Sequence, residues 1–351
     1  MRGDILIPMS KHKHHKHQAT PRMDINRSVL TWVAIVIFVL IAIGWYAGNQ
    51  NVKEKSNPTL PLALTVTPET VIQGDPVMIT LAGTTTSANI KSGSVSATAL
   101  SFMIYQNTPT SFYGTGINQK TGSTTVTVIL NDGTKKGKVL TTTLFIKPRI
   151  RPEEPLPIPA QLGGNSPANQ IVVENTLNTE NAEIAAVPSY KKGAFWTEAF
   201  AFPLANPANG KTDGVRNDSV NNDGTGLKVT DPYGYNRDTG EITIPHKGTD
   251  FKAASGTPVY AINDGLVRLT STFVVYGNTV IIDHGLGIES LYMHLSRIVA
   301  TPGEVVKRGQ LIGYSGETGY AVGPHLHLSI KIGGVSIDPM KFFALFHQEN
   351  S

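Results

Sequence analysis

Two histidines alternate with leucines in the stretch Pro324-His-Leu-His-Leu-Ser329, near the end of this 351-residue chain. Residues two apart on a β-strand point to the same face of the strand. His325 and His327 would therefore face one side, while Leu326 and Leu328 would face a core. Two imidazoles held side by side on a rigid strand are suited to a first-row metal, above all zinc.

Three further side chains upstream could join the same site. His246 and Asp250 are four residues apart, and His294 follows an apolar run. Hydrolytic zinc sites use three protein ligands, among which a carboxylate with two histidines is common. Five candidate groups exceed three ligands by two, and the remaining two would move protons or stabilise an oxyanion. The residues alone leave open whether His325 or His327 is the ligand.

The composition favours β-strands joined by turns. The chain has 34 glycines and 22 prolines, and it has no cysteine. The absence of cysteine excludes disulfides, cysteine-bound zinc and cysteine nucleophiles. The net charge of +4 is mild, and no basic stripe is interleaved with aromatic residues. We therefore expect no nucleic acid partner.

An apolar run at residues 29–47 predicts a single transmembrane helix, with aromatic residues near its ends. Residues 1–28 carry a basic excess, which places this tail in the cytoplasm and the rest of the chain outside the cell. A cleaved signal peptide fits less well, because the polar head is long and no clear Ala-x-Ala site follows. A buried core helix also fits less well, because the run has no polar face.

The sequence predicts two parts in the middle of the chain. Residues 60–148 contain short runs rich in β-branched residues, separated by turn signals, which predicts a small immunoglobulin-like β-sandwich. Residues 149–190 begin with a Pro-rich stretch and continue with little periodicity, which predicts an extended linker and a loosely ordered connector. The polar stretch 206–227 lacks the spacing of a calcium loop, so we interpret it as a surface loop.

Residues 191–348 predict an antiparallel β domain without a helix of useful length. Closely spaced strands and turns run through this part of the chain. Among them, a turn at Asn263-Asp-Gly265 predicts a hairpin between the strands on either side of it. His284 lies in a turn and is interpreted as structural. Tyr292 and Tyr320 either line a groove or pack beside the sheet. The fold class is therefore mainly β, after one N-terminal transmembrane helix.

The order of the motifs carries a family resemblance. His246-x-Gly-x-Asp250, Tyr292-x-His294-Leu and Gly323-Pro-His325-Leu-His327 follow one another with turns between them. This pattern resembles the LytM/lysostaphin-type zinc metallopeptidases, which cut peptide bonds in bacterial peptidoglycan. The resemblance covers about residues 202–343.

The resemblance implies one zinc ion bound by His246, Asp250 and His327. It implies that His294 and His325 are the catalytic histidines, without saying which of them is the general base. Where the family commonly has an aromatic residue and a Glu after the histidine pair, this chain has Leu328 and Ser329. Loss of that Glu removes a hydrogen bond that could hold a ligand in place.

We therefore expect a zinc endopeptidase that is anchored in the lipid bilayer by residues 29–47 and acts on peptidoglycan outside the cell. The alternative is a LytM-like module that binds peptidoglycan or activates a hydrolase without cutting, although the complete ligand set argues against it. A third reading is an adhesin that acts through its β-sandwich. The sequence identifies neither a protein partner, which stays unknown, nor the bond that is cut.

Overall fold

The computed structural model describes residues 61–84, 86–204, 227–240 and 242–347, together with Val36. The predicted cytoplasmic tail lies outside the described residues, and so does the predicted transmembrane helix of residues 29–47, apart from the helical Val36. No helix in the described ranges is long and apolar enough to cross a membrane.

The described residues are mainly β, as the sequence predicts, with strands β1 to β23 in five sheets. Two α-helices are described as well, α1 (Pro167–Ala185) and α2 (Pro339–Phe346). The described chain from residue 61 onward belongs to a single structural unit.

Residues 63–147 form two sheets that share an apolar core. Val66 and Ile79 of the first sheet are buried with Val126 and Leu144 of the second, so the sheets pack face to face. The relation of this part to immunoglobulin domains stays a prediction. The first sheet contains, in spatial order, β1 (Ala63–Thr67), β3 (Pro76–Ala82), β7 (Thr108–Gly114) and β6 (Met103–Tyr105). The second contains β2 (Thr70–Ile72), β9 (Lys138–Lys147), β8 (Gly122–Leu130), β4 (Ile90–Val95) and β5 (Thr98–Ala99).

An eight-stranded antiparallel sheet forms the centre of the C-terminal part. Its strands are, in spatial order, β11 (Val229–Asp231), β14 (Thr249–Lys252), β22 (His325–Ile332), β18 (Ile288–Leu295), β17 (Asn278–Gly285), β16 (Gly265–Thr272) and β20 (Val305–Val306), with β23 (Val335–Ile337) beside β22. Two small sheets flank it. They are β10 (Glu153–Pro155), β12 (Asn236–Asp238) and β13 (Thr243–Pro245), and β15 (Pro258–Tyr260), β21 (Leu311–Tyr314) and β19 (Arg297–Ile298).

The central strands of this sheet are covered on both faces, which explains why they read as continuous apolar runs. Ile282 and Leu328 face the main core. Ile281 and Met293 face the opposite side, where they pack with Ile184 of helix α1. Because side chains alternate along β22, its two histidines lie on the same face of the sheet as helix α1.

The segment 149–190 is not the extended linker and loose connector that the sequence predicts. Strand β10 pairs with β12, and helix α1 follows. Ser166 caps this helix and Pro167 occupies its first turn, which is a recognisable start signal. The helix lacks the continuous apolar face that would identify it in the sequence, because two of its buried positions are Gln170 and Glu180.

The expectation of a C-terminal domain without a useful helix is wrong. Asp338 caps helix α2 by accepting hydrogen bonds from Met340 and Lys341. Phe342 and Phe343 on this helix are buried in the main core. The run Pro-Met-Lys-Phe-Phe-Ala-Leu-Phe is short and almost wholly apolar, so its periodicity alone does not distinguish a helix from a strand.

The predicted hairpin around Asn263-Asp-Gly265 is also wrong. Strand β15 before the turn pairs with β21, and β16 after the turn pairs with β17. Residues from a distant part of the chain hold the turn in place. Asp264 accepts hydrogen bonds from the Lys307 ammonium group and from the backbone N–H of Arg308. These contacts make it a corner between two sheets rather than the tip of a hairpin.

Aromatic side chains join the N-terminal sheets to the C-terminal part. The Tyr105 and Trp196 rings lie 5.5 Å apart, and the Phe112 and Phe346 rings lie 5.4 Å apart. Phe200 contacts Trp196 at 4.9 Å. The Tyr105–Trp196 and Trp196–Phe200 pairs are edge-to-face and the Phe112–Phe346 pair is stacked, and both geometries are favourable beyond the burial of apolar area. The two parts therefore pack through a shared core and not through a flexible tether.

A buried arginine strengthens the same junction. Arg149 donates to Asp75 Oδ1 at 2.7 Å and lies 3.4 Å from Asp338 Oδ2. Its Nε donates to the Gln73 carbonyl at 2.6 Å, and its guanidinium lies over the Tyr233 ring. Burial raises the pKa of Asp75 to about 6 in spite of the lowering effect of Arg149. The arginine is thus the cation that makes two buried carboxylates tolerable.

We predict that Arg149→Ala destabilises the protein by about 3 kcal/mol or more, because it leaves two buried carboxylates without their cation. Urea unfolding at neutral pH, followed by tryptophan fluorescence, measures the change. Lys136→Ala in an exposed turn is the control. A loss within about 0.5 kcal/mol, as for an ordinary surface substitution, would contradict the role given to Arg149.

Candidate functional site

Three of the predicted site residues form a compact buried group on the central sheet. Strands β14 and β22 pair with Asp250 opposite His327, and His246 follows β13. Asp250 Oδ1 lies 2.7 Å from His327 Nδ1 and 3.2 Å from His246 Nε2, and the two nitrogens are 3.1 Å apart. Their candidate ligand atoms all lie within 4.8 Å of one another.

Hydrogen bonds to the outer ring nitrogens fix the tautomers of both histidines. His246 Nδ1 donates to the Pro232 carbonyl at 2.9 Å, which leaves Nε2 without a proton. Ser329 Oγ donates to the Lys247 carbonyl at 2.8 Å, so it accepts from His327 Nε2 at 3.0 Å. His327 Nδ1 is then the free nitrogen. Each histidine thus donates its outer N–H and keeps an unprotonated nitrogen beside the Asp250 carboxylate, which is the arrangement found in metal-binding histidines.

The charge states in this group suit a cation. Burial alone would raise the pKa of Asp250, but His246, Arg237 and His327 hold it well below its usual range. Burial lowers the pKa of His327 to about 4. An ionised carboxylate and neutral imidazoles are the forms that bind metal. Two nitrogens and one oxygen, close together and buried, fit the ligand set of a zinc ion.

Arg237 was not found by sequence reasoning. It lies on β12 and donates from Nη2 to Asp250 Oδ2, which leaves Oδ1 facing the imidazoles. Its Nε is buried and has no hydrogen-bond partner in the described structure. A single arginine in a short polar segment gives no sequence signal, since its contact with Asp250 depends on how two sheets meet.

Gly248 shows why the motif His-x-Gly-x-Asp needs a glycine. A Cβ atom at this position would lie 2.4 Å from His327 Nε2 and 2.6 Å from the Leu328 carbonyl oxygen. Neither neighbour can retreat without moving β22 or the histidine. The glycine therefore lets the loop between His246 and Asp250 pass close to the sheet.

The other two predicted histidines lie beside this group. The His294 and His325 rings are 4.9 Å apart, and His325 Nε2 is 3.8 Å from Asp250 Oδ1. Each donates its Nδ1 proton to a backbone carbonyl at 2.8 Å, that of Thr318 for His294 and that of Gly323 for His325. Both Nε2 atoms therefore carry a free lone pair.

His294 is held in an unusual backbone conformation. Its φ is 59°, in the left-handed region that side chains with a Cβ rarely adopt. Such conformations persist only where the surroundings impose them, and they cluster at functional sites. Burial, helped by His325 and His327, lowers the pKa of His294 to about 3. A neutral imidazole in this place can accept a proton, and its orientation is fixed.

The remaining candidates divide as follows. His284 is fully buried and bonds the Asp264 carbonyl and Ser290 Oγ, which is the structural role expected for it. Tyr292 is also fully buried and accepts from the Ile262 N–H, so it packs within the sheet. Tyr320 lines the pocket at the site and donates to a backbone carbonyl.

The pocket over the site is small. Its volume is about 90 Å³, and its lining includes His246, His294 and His327. Leu156 and Leu177, from the segment that the sequence predicts to be linker and connector, close it from above. Binding sites for drug-sized ligands usually measure about 300–1,000 Å³, so the described conformation leaves little room for a substrate.

Helix α1 is fixed over this pocket by one buried carboxylate. Glu180 accepts hydrogen bonds from the backbone N–H groups of Val274, Val275 and Tyr276, at 2.6, 2.9 and 3.1 Å. The Tyr276 hydroxyl donates to Asn181 Oδ1 at 2.8 Å on the same helix. The buried polar residues on this helix therefore satisfy a loop that borders the site.

We predict that Ser329→Ala lowers metal affinity about 10- to 100-fold, the usual cost of losing a partner that orients a ligand. The serine hydroxyl accepts a hydrogen bond that fixes the His327 tautomer, and alanine cannot accept it. Competition with a chromogenic chelator measures the affinity. Ser271→Ala on β16 serves as the control, and an unchanged affinity in Ser329→Ala would exclude this role.

We predict that Glu180→Ala speeds amide hydrogen exchange at residues 274–276 by about tenfold or more, because hydrogen bonds to a charged group are each worth about 1.5–3 kcal/mol. Exchange followed by mass spectrometry measures it. Glu183→Ala, exposed on the same helix, should leave exchange unchanged. Equal exchange in both variants would show that the carboxylate does not hold the helix.

The segment that carries this site is similar to known proteins. Residues 244–339 match the sequence profile of Peptidase family M23. Over 97 residues the chain is 46% identical to the peptidoglycan DD-endopeptidase ShyA of Vibrio cholerae, covering 28% of this chain and 23% of that protein. It is 39% identical over 114 residues to the DD-carboxypeptidase/endopeptidase Mpg of Neisseria meningitidis, covering 32% and 26%. The chain thus spans about a quarter of the length of these curated relatives.

One solved structure extends the likeness beyond this segment. The crystal structure of a protein named as a peptidase M23 of Pseudomonas aeruginosa has a TM-score of 0.52 with this chain at 20% sequence identity. The match covers 78% of this chain and 96% of that one. At this identity the likeness concerns the fold, and it includes regions outside residues 244–339.

Proposed function

Residues 244–339 match Peptidase family M23, and from this premise we propose that the chain is a zinc-dependent endopeptidase that hydrolyses peptide bonds in peptidoglycan. The observation that carries the proposal is the compact group of three candidate ligands with two further imidazoles beside it. The similar protein of Vibrio cholerae is named a peptidoglycan DD-endopeptidase, and this supports the substrate class.

In this proposal His246, Asp250 and His327 hold one zinc ion. When bound, zinc supplies Lewis acidity, which polarises a peptide carbonyl and makes water a stronger acid. The chain keeps the ligand atoms ready for it: the Asp250 carboxylate is ionised, and each imidazole presents an unprotonated nitrogen. Arg237 and Ser329 position the ligands, since Arg237 binds Asp250 Oδ2 and Ser329 binds His327 Nε2, the atoms that are not directed at the metal.

The proposal assigns proton transfer to His294 and His325. Each has a free Nε2 on the side of the metal group, so each can accept a proton from the attacking water. The histidine that becomes protonated can stabilise the negative charge of the tetrahedral intermediate and then protonate the leaving amine. Fixed Nδ1–H bonds to backbone carbonyls keep both rings oriented through these steps.

A peptide needs more room than the 90 Å³ pocket provides. Entry therefore requires helix α1 or the segment around Leu156 to move outward. The closed pocket is also the one observation that favours the alternative function, a module that binds peptidoglycan or activates a hydrolase without cutting. The two functions differ in whether new peptide termini appear.

We further propose that residues 29–47 anchor the chain in the cell membrane, with the N-terminus in the cytoplasm and the catalytic part outside. The apolar run and the basic excess before it support this placement. Peptidoglycan would then be reached from the outer side of the membrane.

The test is a digest of isolated peptidoglycan by the zinc-loaded full chain, with released fragments identified by mass spectrometry. We expect new peptide termini, and their masses identify the bond. His325→Ala should slow release about 100-fold or more, the usual contribution of a proton-transfer group.

Asp250→Ala and a chelated sample should release nothing, while Asp132→Ala, in an exposed turn, should behave as the parent chain. Cleavage that persists in Asp250→Ala without bound metal would refute the mechanism. A folded, zinc-loaded chain that binds peptidoglycan and releases nothing would favour the non-cleaving alternative.

A further inference from the structure

A large cleft lies between the N-terminal sheets and the C-terminal part. Its volume is about 920 Å³, at the upper end of the usual range for ligand sites of about 300–1,000 Å³. One wall includes Tyr113 and Asn118 from the N-terminal part, and the other includes Gly333 in the turn between β22 and β23. Asn178 of helix α1 contributes to the lining. The cleft therefore exists only because the two parts are packed together.

Three lysines line this cleft, and its lining contains no aspartate or glutamate among the described residues. Lys191 follows helix α1, Lys247 lies between two candidate ligands, and Lys331 lies on β22. None of the three has an ion-pair partner within 4.0 Å in the described part of the chain. The cleft thus carries three positive charges without a close ion-pair partner among the described residues.

Lys331 is the half-buried member of the three lysines, and its surroundings bear on the charge of the cleft. Burial lowers its pKa, the Glu289 carboxylate raises it, and the charge of Lys247 lowers it. Glu289 faces Lys331 across the β18–β22 pair. Burial raises the pKa of Glu289 to about 7, against the lowering effect of Lys331. A carboxylate from a ligand would relieve the repulsion between the lysines.

The cleft adjoins the candidate active site. Lys247 and Asn181 line both the cleft and the small pocket that contains His246, His294 and His327. A chain bound in the cleft could therefore extend toward these histidines. None of the three lysines lies on helix α1, so a movement that opens the pocket does not remove the positive charge.

We propose that this cleft binds the carboxylate-bearing part of an acidic peptide whose scissile bond is placed at the histidines. The inference rests on the proposed endopeptidase function and specifies its substrate: a peptide with at least two free carboxylates spaced to meet lysines from different elements. The N-terminal sheets then form one wall of the substrate site and are more than a spacer.

The test measures binding separately from cleavage. The full chain carrying His325→Ala, in neutral detergent, is titrated into a stem-type pentapeptide, Ala-isoGlu-Lys-Ala-Ala with D residues at positions 2, 4 and 5. The peptide carries an uncharged dye and two free carboxylates, and its twin has both carboxylates amidated. Fluorescence anisotropy reports binding. We expect the free acid to bind at least about tenfold more tightly than the diamide, a difference of about 1.4 kcal/mol.

Lysine variants locate the effect. Lys191→Gln with Lys331→Gln should weaken binding of the free acid about tenfold, and Lys191→Arg with Lys331→Arg should retain it because the charges remain. Lys135→Gln with Lys136→Gln makes the same change in net charge on an exposed turn and should have no effect. Circular dichroism checks that each variant is folded.

Three results would overturn the proposal: equal binding of the acid and the diamide, equal weakening by the two Gln pairs, or preference for a polyphosphate chain over the peptide. The proposed function fails independently. If the parent chain binds the free-acid peptide through these lysines but never cuts peptidoglycan, the cleft proposal is supported and the proposed endopeptidase function is refuted. If the chain cuts peptidoglycan and its KM is the same in the lysine variants, the proposed function is supported and the cleft proposal is refuted.

Discussion

The Asp250 carboxylate is the group around which the rest of the site is organised. Removing a charge from water costs several kcal/mol unless partners replace the solvent. Its partners come from separate elements: His246 from a loop, His327 from β22 and Arg237 from β12. The carboxylate is tolerable only when these elements meet in one register. The candidate metal site is therefore complete only when the central sheet and the small sheet that contains β12 are packed together.

Part of this arrangement follows from local sequence, and part does not. The alternation of His325 and His327 predicts a strand with one polar face, and β22 has that form. The tautomers do not follow from sequence, because the acceptors include carbonyls distant in the chain, such as Pro232 for His246. Arg237 also escapes prediction, since nothing around it in sequence indicates the carboxylate that it meets.

Helix α1 shows a different reason for failure. Sequence methods recognise a helix by an apolar stripe, but the stripe here is interrupted by Gln170 and Glu180, which are buried. Glu180 occupies its place because it satisfies three backbone N–H groups of a loop on the sheet. A helix whose docking depends on polar complementarity has little pattern of its own, although its Ser-Pro start remained visible.

Ser329 makes the site less negatively charged than a glutamate at the same position would. A glutamate there would bond His327 and add a second negative charge beside Asp250. The serine hydroxyl makes the bond to His327 Nε2 without that charge, and the Lys247 carbonyl takes its proton. Arg237 adds a positive charge on the other side of Asp250. The protein charges around the ligand group are therefore more positive than a Glu-containing site would be. A more positive surrounding favours anionic groups near the histidines, in the same direction as the lysines of the adjoining cleft.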